Sequence, residues 1–417
     1  MAERTIDHLI VGGGVAAFAC ARELRERGAD GSVVVVSRDP DPPYDRTAVS
    51  KGYLQGRTDK DGTLLAGPDW WERNGVELLT RTSAISLDPA ERTVKLSNKE
   101  TLRFERLLLA TGANVRRLRV DGSDLRGIHY VRALGNADAI RRDAEEAGHV
   151  VLVGGSYIAT EVAASLTMLG KRCTLVMQED VCLERGFGRQ AGRYFQNVLE
   201  EHGIGIRPAD EVAAFEGDER VSAVVTKSGE RIPADVVVVG AGVTPDVMLA
   251  QRAKLDIGPR GGVLTDSSLR TSAPSILAAG DIAEYDSVLH GDRMRIEHWD
   301  VAEQQGRAAA ATMLGEQGPY QVVPYFFCDL ADWASLEYVG PAPRWDEEIV
   351  RGSMDDGKFT IWYLDGDRVV GALTVGRPED LDVGRALIAE RRDVGDLRDT
   401  LADPGADLSA LATTAGE

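Results

Sequence analysis

The stretch HVVLVGGSYIATEVAASL, residues 149–166, decides the fold, because an apolar run enters a glycine turn and continues in a helical pattern. A similar stretch, HLIVGGGVAAFACAREL, occupies residues 8–24. The N-terminus of a helix presents free N–H groups and the positive end of its dipole, and glycine lets the backbone approach a phosphate closely. The sequence therefore predicts two turns that each hold a dinucleotide pyrophosphate.

The first turn fits the spacing G-x-G-x-x-A at Gly12, Gly14 and Ala17. It lies inside a strand–helix–strand pattern over residues 9–36, which is the setting that gives such a motif its meaning. This agreement of motif and context predicts a dinucleotide-binding turn.

The second turn fits the same spacing only at its first position, Gly154, because Ser156 and Ala159 occupy the other two. Small residues at these places also serve the close packing of a helix on a sheet. Both readings stay open from the sequence, although the strand before the turn and the helix after it favour a nucleotide site.

An acidic residue usually follows the second strand of such a unit and bonds a ribose hydroxyl. After the second turn Glu179 holds this place, which favours NADH over NADPH, whose 2′-phosphate would favour arginine. Three basic residues lie near it: Lys171, Arg172 and Arg185. After the first turn the strand ends at Ser37, and Arg38 precedes Asp39, so the acidic position stays open there.

Further apolar strands, a helix and a change in amino-acid composition complete the pattern. Strands are predicted over residues 107–113 and 173–177, and a strand followed by a turn is predicted in each of the ranges 235–246 and 275–285. An alanine-rich helix is predicted over 303–315. Residues 37–56 are predicted as a loop without an element, because they are polar and interrupted by proline. After Val323 the pattern indicates antiparallel strands and a charged helix near residues 380–392, hence another domain.

The composition restricts the function. The net charge of −19 makes nucleic-acid binding improbable, since phosphate contacts need a basic face. The sequence has no long apolar run and no signal-peptide pattern, so we expect a cytoplasmic protein that does not enter a membrane. The scattered cysteines form no C-x-x-C pair, which argues against a metal site or a redox dithiol; they are Cys20, Cys173, Cys182 and Cys328.

The order of motifs resembles one family over residues 7–392. It runs VGGGVAA, PPYDRTAVSK, LLLATGA, VGGSYIATEVAASL, VVVVGAGVTPD, SILAAGD, IEHWDVAEQQGRAA and PYFFCDLADW. This resembles the FAD-dependent ferredoxin reductases that serve bacterial oxygenases, a family related to apoptosis-inducing factor. The PPYDR…SK loop and the EHW segment are the most specific of these motifs.

The resemblance implies an α/β fold with two Rossmann-like domains of the glutathione-reductase type and a C-terminal α+β domain. The FAD-binding domain is expected at 1–113 and 247–323, the NAD(P)-binding domain at 114–246, and the C-terminal docking domain at 324–403. Residues 404–417 are expected to form a loose tail.

The resemblance also implies roles for particular residues. It places Lys51 near the flavin ring, with Glu161 at the nicotinamide pocket pairing with it, and His298 and Trp299 beside the ring as further catalytic residues. The cofactor-binding residues that it implies, together with those of the turns, are Gly12, Gly14, Ala17, Ser37, Arg38, Arg46, Lys51, Thr111, Gly112, Gly154, Ser156, Tyr157, Ile158, Glu161, Glu179, Gly242, Asp281, Glu297, His298 and Trp299.

The function implied is transfer of a hydride from NADH to FAD and of single electrons to a [2Fe–2S] ferredoxin that feeds an oxygenase or a cytochrome P450. The alternative is an NADH-binding flavoprotein of the apoptosis-inducing-factor kind, or a reductase of a small molecule or quinone. We expect a monomer or homodimer without a metal. Two departures bear on these expectations: Cys328 replaces a residue that is usually serine in the family, and the acidic balance is unusual for a partner of an acidic ferredoxin.

Overall fold

A computed structural model describes residues 3–316 and 318–412 of the chain. The strands, in chain order, are β1 Glu3–Val11, β2 Val33–Val36, β3 Val76–Leu79, β4 Ala84–Asp88, β5 Thr93–Leu96, β6 Thr101–Leu109, β7 Ala113–Val115, β8 Ile128–Tyr130, β9 His149–Val153, β10 Arg172–Val176, β11 Gly205–Arg207, β12 Val212–Gly217, β13 Val221–Thr226, β14 Arg231–Pro233, β15 Val236–Val239, β16 Val243–Pro245, β17 Val263–Thr265, β18 Ile276–Ala278, β19 Ala283–Ser287, β20 Asp292–Met294, β21 Tyr325–Leu330, β22 Ala334–Val339, β23 Glu347–Ser353, β24 Lys358–Asp365 and β25 Arg368–Val375.

The α-helices, in chain order, are α1 Val15–Glu26, α2 Trp70–Arg73, α3 Leu134–Glu145, α4 Tyr157–Met168, α5 Glu184–Glu201, α6 Met248–Arg252, α7 Trp299–Met313, α8 Glu379–Glu390, α9 Arg398–Ala402 and α10 Ser409–Ala412. Short 3₁₀ turns cover Arg46–Ser50, Asp61–Thr63, Gly280–Ile282 and Gly395–Leu397. Among the residues described, no helix combines the length and apolar character that crossing a membrane requires.

The chain divides into two compact units. Among the described residues, the first comprises 3–46, 60–114, 243–316 and 318–322, and the second comprises 47–59, 115–242 and 323–412. The chain passes from one to the other through loops and near the short strands β7 and β16.

The first unit is built on a sheet in the order β3-β2-β1-β6, with β18 continuing beside β6. These strands are parallel, whereas β4 and β5 add antiparallel neighbours at the other end of β6. Valine fills β2 completely and all of its residues are buried, as expected for a strand covered on both faces. Helix α1 packs against α7 so closely that a Cβ at Gly306 would lie 2.3 Å from the Ala16 carbonyl oxygen.

The second unit repeats this plan in a parallel sheet of order β11-β10-β9-β15-β8. In both units a central strand leads through a glycine turn into a helix and then to the neighbouring strand, β1-α1-β2 in one and β9-α4-β10 in the other. The second unit also contains a three-stranded sheet, β12-β13-β14, and a five-stranded antiparallel sheet, β21-β22-β25-β24-β23, which α8 covers. The expected α/β class with a C-terminal α+β domain is confirmed.

Several elements differ from the sequence expectations at their ends. The strand expected at 107–113 is β6, Thr101–Leu109, and the helix expected at 303–315 is α7, which begins at Trp299. The expectation that residues 37–56 lack any element is wrong, because Arg46–Ser50 forms a 3₁₀ turn after the prolines. The contacts that hold this 3₁₀ turn come from segments distant in the sequence, so local residue propensity does not predict the turn.

The C-terminal segment is packed more fully than expected. The Nη2 of Arg351 donates to the Ala406 carbonyl oxygen at 2.7 Å, and Leu408 is buried. The expectation of a loose tail is therefore wrong for residues 404–412, since a buried arginine satisfies the backbone there. Residues 413–417 lie outside the part of the chain that the structure describes.

Candidate functional site

The first glycine turn is closed on one side by its own sheet. Gly12 has φ of 150°, and a Cβ there would lie 2.1 Å from the Ala110 carbonyl oxygen. Gly14 caps α1 without a side-chain hydrogen bond, and a Cβ on it would meet nothing within 4 Å. At Gly12 the turn passes so close to the Ala110 backbone that only glycine fits there, and the N-terminus of α1 is left open. This arrangement accepts an anionic pyrophosphate.

The end of β2 forms a polar edge. Ser37 is buried and its Oγ accepts from the Asp39 N–H at 3.1 Å. Arg46 donates to Asp39 Oδ2 at 2.9 Å and to the Tyr44 hydroxyl at 2.8 Å. Asp39 thus orders the segment up to Arg46, a contact that sequence reasoning left open.

Arg38 lies on the same edge and is already engaged within the first unit. Its guanidinium donates to Asp246 Oδ2 at 2.8 Å and to Asn114 Oδ1 at 2.7 Å. Thr111 Oγ1 donates to the Asp246 carbonyl oxygen at 2.7 Å, and Gly112 accepts from the Asp246 N–H at 2.8 Å. Sequence reasoning missed Asp246 and Asn114, because nothing local indicates that they meet Arg38.

Asp281, one of the cofactor-binding residues that the resemblance implies, lies in the 3₁₀ turn Gly280–Ile282, beside the starts of two helices. A Cβ on the preceding Gly280 would lie 3.4 Å from the Cβ atoms of both Ala16 and Ala302. The Gly280 N–H donates to Gln305 Oε1 at 2.8 Å, which fixes the turn to α7. The structure therefore brings Asp281, the start of α1 and the start of α7 to one place.

The EHW segment forms the start of α7. His298 is the N-cap, and its Nδ1 accepts from the Asp300 N–H at 3.4 Å. Glu297 accepts from Arg295 Nη1 at 2.5 Å. The indole N–H of Trp299 is buried and has no hydrogen-bond partner among the described residues. A buried donor of this kind needs an acceptor, and a bound cofactor oxygen would supply it, so these residues fit a dinucleotide.

The second glycine turn repeats the first in the second unit. Gly154 has φ of 118°, and a Cβ there would lie 2.5 Å from the Gly240 carbonyl oxygen. Ser156 caps α4 without a side-chain hydrogen bond, which leaves the helix N-terminus open. Ala159 packs on Gly240, whose own Cβ would come 3.1 Å from that of Ala159. Ala159 thus serves the helix–sheet contact, while Gly154 and Ser156 keep the geometry of a phosphate turn.

Glu179 lies beside this turn, as its proposed ribose role requires. A Cβ on Gly155 would lie 3.1 Å from Glu179 Oε2. The carboxylate pairs with Arg185, whose Nε is 2.6 Å away and whose side chain is 75% exposed. Gly242, with φ of 84°, lies in the chain between β15 and β16, and its carbonyl oxygen accepts from the Arg116 N–H at 3.0 Å. The second unit therefore fits the adenosine half of a nicotinamide dinucleotide.

Lys51 and Glu161 form a buried ion pair in the second unit. Lys51 Nζ lies 2.8 Å from Glu161 Oε1, with side chains 18% and 4% exposed, so the expected pairing is found. Burial opposes the charge on Lys51, but the attraction and hydrogen bond of Glu161 outweigh it, so the pKa of the lysine lies above its usual value. The ammonium also lies 5.4 Å from the centre of the Phe327 ring. Lys51 is therefore a charged, oriented side chain in a largely buried setting.

Tyr157 and Cys328 lie near the ion pair of Lys51 and Glu161. Tyr157 and Ile158 begin α4, and the Tyr157 ring packs edge-on against Phe187 with centroids 5.8 Å apart. Cys328 is buried on β21, and burial, together with the charge of Glu161, raises the pKa of its thiol well above the usual value. Cys328 therefore remains a neutral thiol, as a small buried residue would.

Comparison with known proteins agrees with this arrangement. The family model described as pyridine nucleotide-disulphide oxidoreductase matches residues 6–306, and the one described as reductase C-terminal matches residues 325–412. The ferredoxin reductase subunit of 5,5′-dehydrodivanillate O-demethylase from Sphingobium sp. is 34% identical, over 98% of this chain and 99% of its own length. Putidaredoxin reductase CamA from Pseudomonas putida is 32% identical over 92% of each chain.

A solved structure is similar over the whole chain. The covalent complex of putidaredoxin reductase with putidaredoxin matches with a TM-score of 0.93 and 31% identity, covering 99% of both chains. The chain belongs to the pyridine nucleotide-disulphide oxidoreductase family. It is an NAD(P)H-dependent flavoprotein reductase with FAD and NADH as its cofactors.

Proposed function

We propose that this chain takes a hydride from NADH and delivers single electrons to a [2Fe–2S] ferredoxin that feeds an oxygenase. The relatives named above are ferredoxin reductases. One is described as the ferredoxin reductase subunit of an O-demethylase, and another is putidaredoxin reductase, solved in complex with putidaredoxin. The observation in this chain that supports the proposal most directly is the buried ion pair of Lys51 and Glu161 in the second unit. Burying two charges costs free energy, so such a pair is weak evidence for a stabilising role, and we assign it to the chemistry.

Each cofactor has candidate residues. We propose that FAD binds the first unit through the turn at Gly12 and Gly14, with Asp281 and Trp299 at its far end. NADH binds the second unit through Gly154, Ser156 and Glu179. Bound FAD supplies an acceptor for two electrons that can release them one at a time.

The chain's own residues then have defined tasks. Lys51 presents a positive charge where reduction creates negative charge, which is the kind of fixed electrostatic stabilisation that lowers a barrier. Glu161 keeps the lysine charged and oriented in its buried setting. Trp299 offers a plane for stacking and an indole N–H that needs an acceptor. None of these tasks needs a cysteine, and all four cysteines are buried and unpaired.

The domain boundaries and the location are part of the proposal. We assign FAD binding to residues 1–113 and 247–323, NADH binding to 114–246 and ferredoxin docking to the C-terminal domain from 324. The two compact units described above are divided differently, because the second unit contains both the NADH-binding segment and the C-terminal sheet. Unpaired cysteines support a reducing cytoplasm.

The test is anaerobic reduction of the purified holoprotein by NADH and by NADPH, followed by addition of a [2Fe–2S] ferredoxin from the same organism. We expect rapid flavin reduction with NADH and reoxidation by about two equivalents of ferredoxin, since the cluster accepts electrons singly. Reduction by NADH without transfer to any such ferredoxin, but with transfer to a quinone, would replace this proposal with that of a quinone reductase.

A further inference from the structure

A second buried side chain holds Glu161. Ser50 ends the 3₁₀ turn Arg46–Ser50 and is 1% exposed, and its Oγ donates to Glu161 Oε2 at 2.6 Å. Glu161 therefore divides its two oxygens, Oε1 toward Lys51 and Oε2 toward Ser50. A hydroxyl bond to a buried carboxylate is among the stronger hydrogen bonds of a protein.

The single hydroxyl proton has another acceptor within reach. The Thr47 carbonyl oxygen lies 3.2 Å from Ser50 Oγ, whereas Glu161 Oε2 lies 2.6 Å away. A hydroxyl donates only one proton, and the shorter, charged acceptor takes it. The contact with Glu161 is therefore the dominant one.

The backbone of Ser50 is bound to the same helix. Ser165 Oγ donates to the Ser50 carbonyl oxygen at 2.7 Å, and Gln55 Nε2 donates to Ser165 Oγ at 2.9 Å. Ser165 follows Glu161 by four residues on α4, so both lie on one face of the helix. Helix α4 thus holds Ser50 at two points, by its hydroxyl and by its carbonyl, and Lys51 is the next residue in the chain.

We propose that Ser50 is a positioning residue, which holds one carboxylate oxygen of Glu161 so that the other is directed at Lys51. This inference rests on the proposed function, in which Lys51 assists hydride transfer. In this role Ser50 acts on Lys51 through Glu161 and does not itself contact a cofactor. Nothing in the sequence signals this, because 111 residues separate Ser50 from Glu161.

Other groups also face the pair and belong in its pH behaviour. Cys328 and Asp329 face it from β21, and Tyr157 faces it from the start of α4. Burial raises the pKa of the Cys328 thiol and the Tyr157 hydroxyl, so both are neutral near neutral pH. Asp329 is the remaining carboxylate near Lys51, and it is unchanged in every variant below.

The experiment measures the limiting rate and NADH dependence of anaerobic flavin reduction, across pH, in Ser50→Ala. We expect the limiting rate to fall about 10-fold and the alkaline limb to move to lower pH, while NADH affinity stays within about 2-fold. Ser50→Thr retains the hydroxyl and should restore most of the rate. Ser287→Ala, which removes a buried hydroxyl bonded to His290, is the matched control and should leave rate and pH profile unchanged.

A double-mutant cycle separates positioning from general stability. In a Glu161→Gln background, Ser50→Ala should cause little further loss, because the carboxylate charge that Ser50 directs at Lys51 is already removed. An equal loss in both backgrounds, or an unchanged pH profile in Ser50→Ala, would overturn the inference. If Ser50→Ala fails to retain FAD, Ser165→Ala provides the second test, with a smaller shift in the same direction expected and no shift contradicting the inference. Failure of the wild type to be reduced by NADH would instead refute the proposed function itself.

Discussion

Lys51 Nζ and Glu161 Oε1 lie 2.8 Å apart in a setting where both side chains are largely shielded from water. Burying such a pair costs free energy, which the mutual attraction offsets only with good geometry and further hydrogen bonds. Replacing Lys51 with Met keeps the length of the side chain and removes the charge. We expect the rate of flavin reduction by NADH to fall about 100-fold with FAD retained. Stopped-flow kinetics of the holoprotein check this, and an unchanged rate would remove Lys51 from the mechanism.

The pH dependence of the same pair has a definite sign. The pKa of Lys51 is raised above 10.5, so its charge is fully present below that value and is lost as the pH rises through the folded-state pKa. We expect wild-type flavin reduction to show no lysine limb up to about pH 10. Glu161→Gln removes the main interaction that raises the pKa of the lysine while burial still lowers it, so its pKa should fall and the limb should move to lower pH. A limb at the same pH in both proteins would contradict this.

The two glycines of the first turn should differ sharply in tolerance. Gly12→Ala puts a Cβ 2.1 Å from the Ala110 carbonyl oxygen at a positive φ, and we expect a loss of about 3 kcal/mol or more in the free energy of unfolding. Gly14→Ala meets no protein atom within 4 Å and should fold normally. Urea unfolding and FAD content measure both. A Gly14→Ala protein that folds but loses FAD would show that the cofactor itself approaches there.

Glu179 should control the choice of nicotinamide cofactor. Glu179→Ala removes the proposed ribose partner and releases Arg185 from their 2.6 Å ion pair. We expect NADH affinity to fall about 10-fold, FAD content to stay constant, and the preference for NADPH to rise, because a free guanidinium suits a 2′-phosphate. Arg185→Ala is the control and should retain NADH binding. Equal loss of NADH and FAD would mean that Glu179 is structural.

A buried acidic group stabilises the C-terminal domain. Asp380 Oδ2 accepts from Arg377 Nε at 2.8 Å and from Thr360 Oγ1 at 2.6 Å, and the Asp380 side chain is 2% exposed. Asp380→Ala removes the carboxylate partner of the buried Arg351, whose Nε lies 3.2 Å from Asp380 Oδ2, and leaves Arg377 only the exposed Glu379. We therefore expect a loss of about 3–5 kcal/mol in the free energy of unfolding. Breaking the exposed pair of Arg344 and Asp365 should cost at most about 1 kcal/mol. Similar losses in both variants would contradict the assigned role.

The sequence predicted what depends on local pattern. The glycines at 12 and 154 stand where a strand turns into a helix, and both turns form as expected because the steric demand is local. The start of α7 was predicted four residues late, since His298 caps the helix through its ring and not through a usual capping residue. The contacts of Ser50 with Glu161 and of Arg38 with Asp246 could not be predicted, because they join segments 111 and 208 residues apart.

We propose that the chain carries a flavin that NADH reduces and a ferredoxin oxidises. The most direct measurement is the flavin absorbance of the purified protein during an anaerobic NADH titration followed by a ferredoxin titration. We expect a yellow protein that is bleached by about one equivalent of NADH and recovers its colour with about two equivalents of ferredoxin. A protein that stays colourless when offered FAD, or a yellow one that NADH does not bleach, would contradict it.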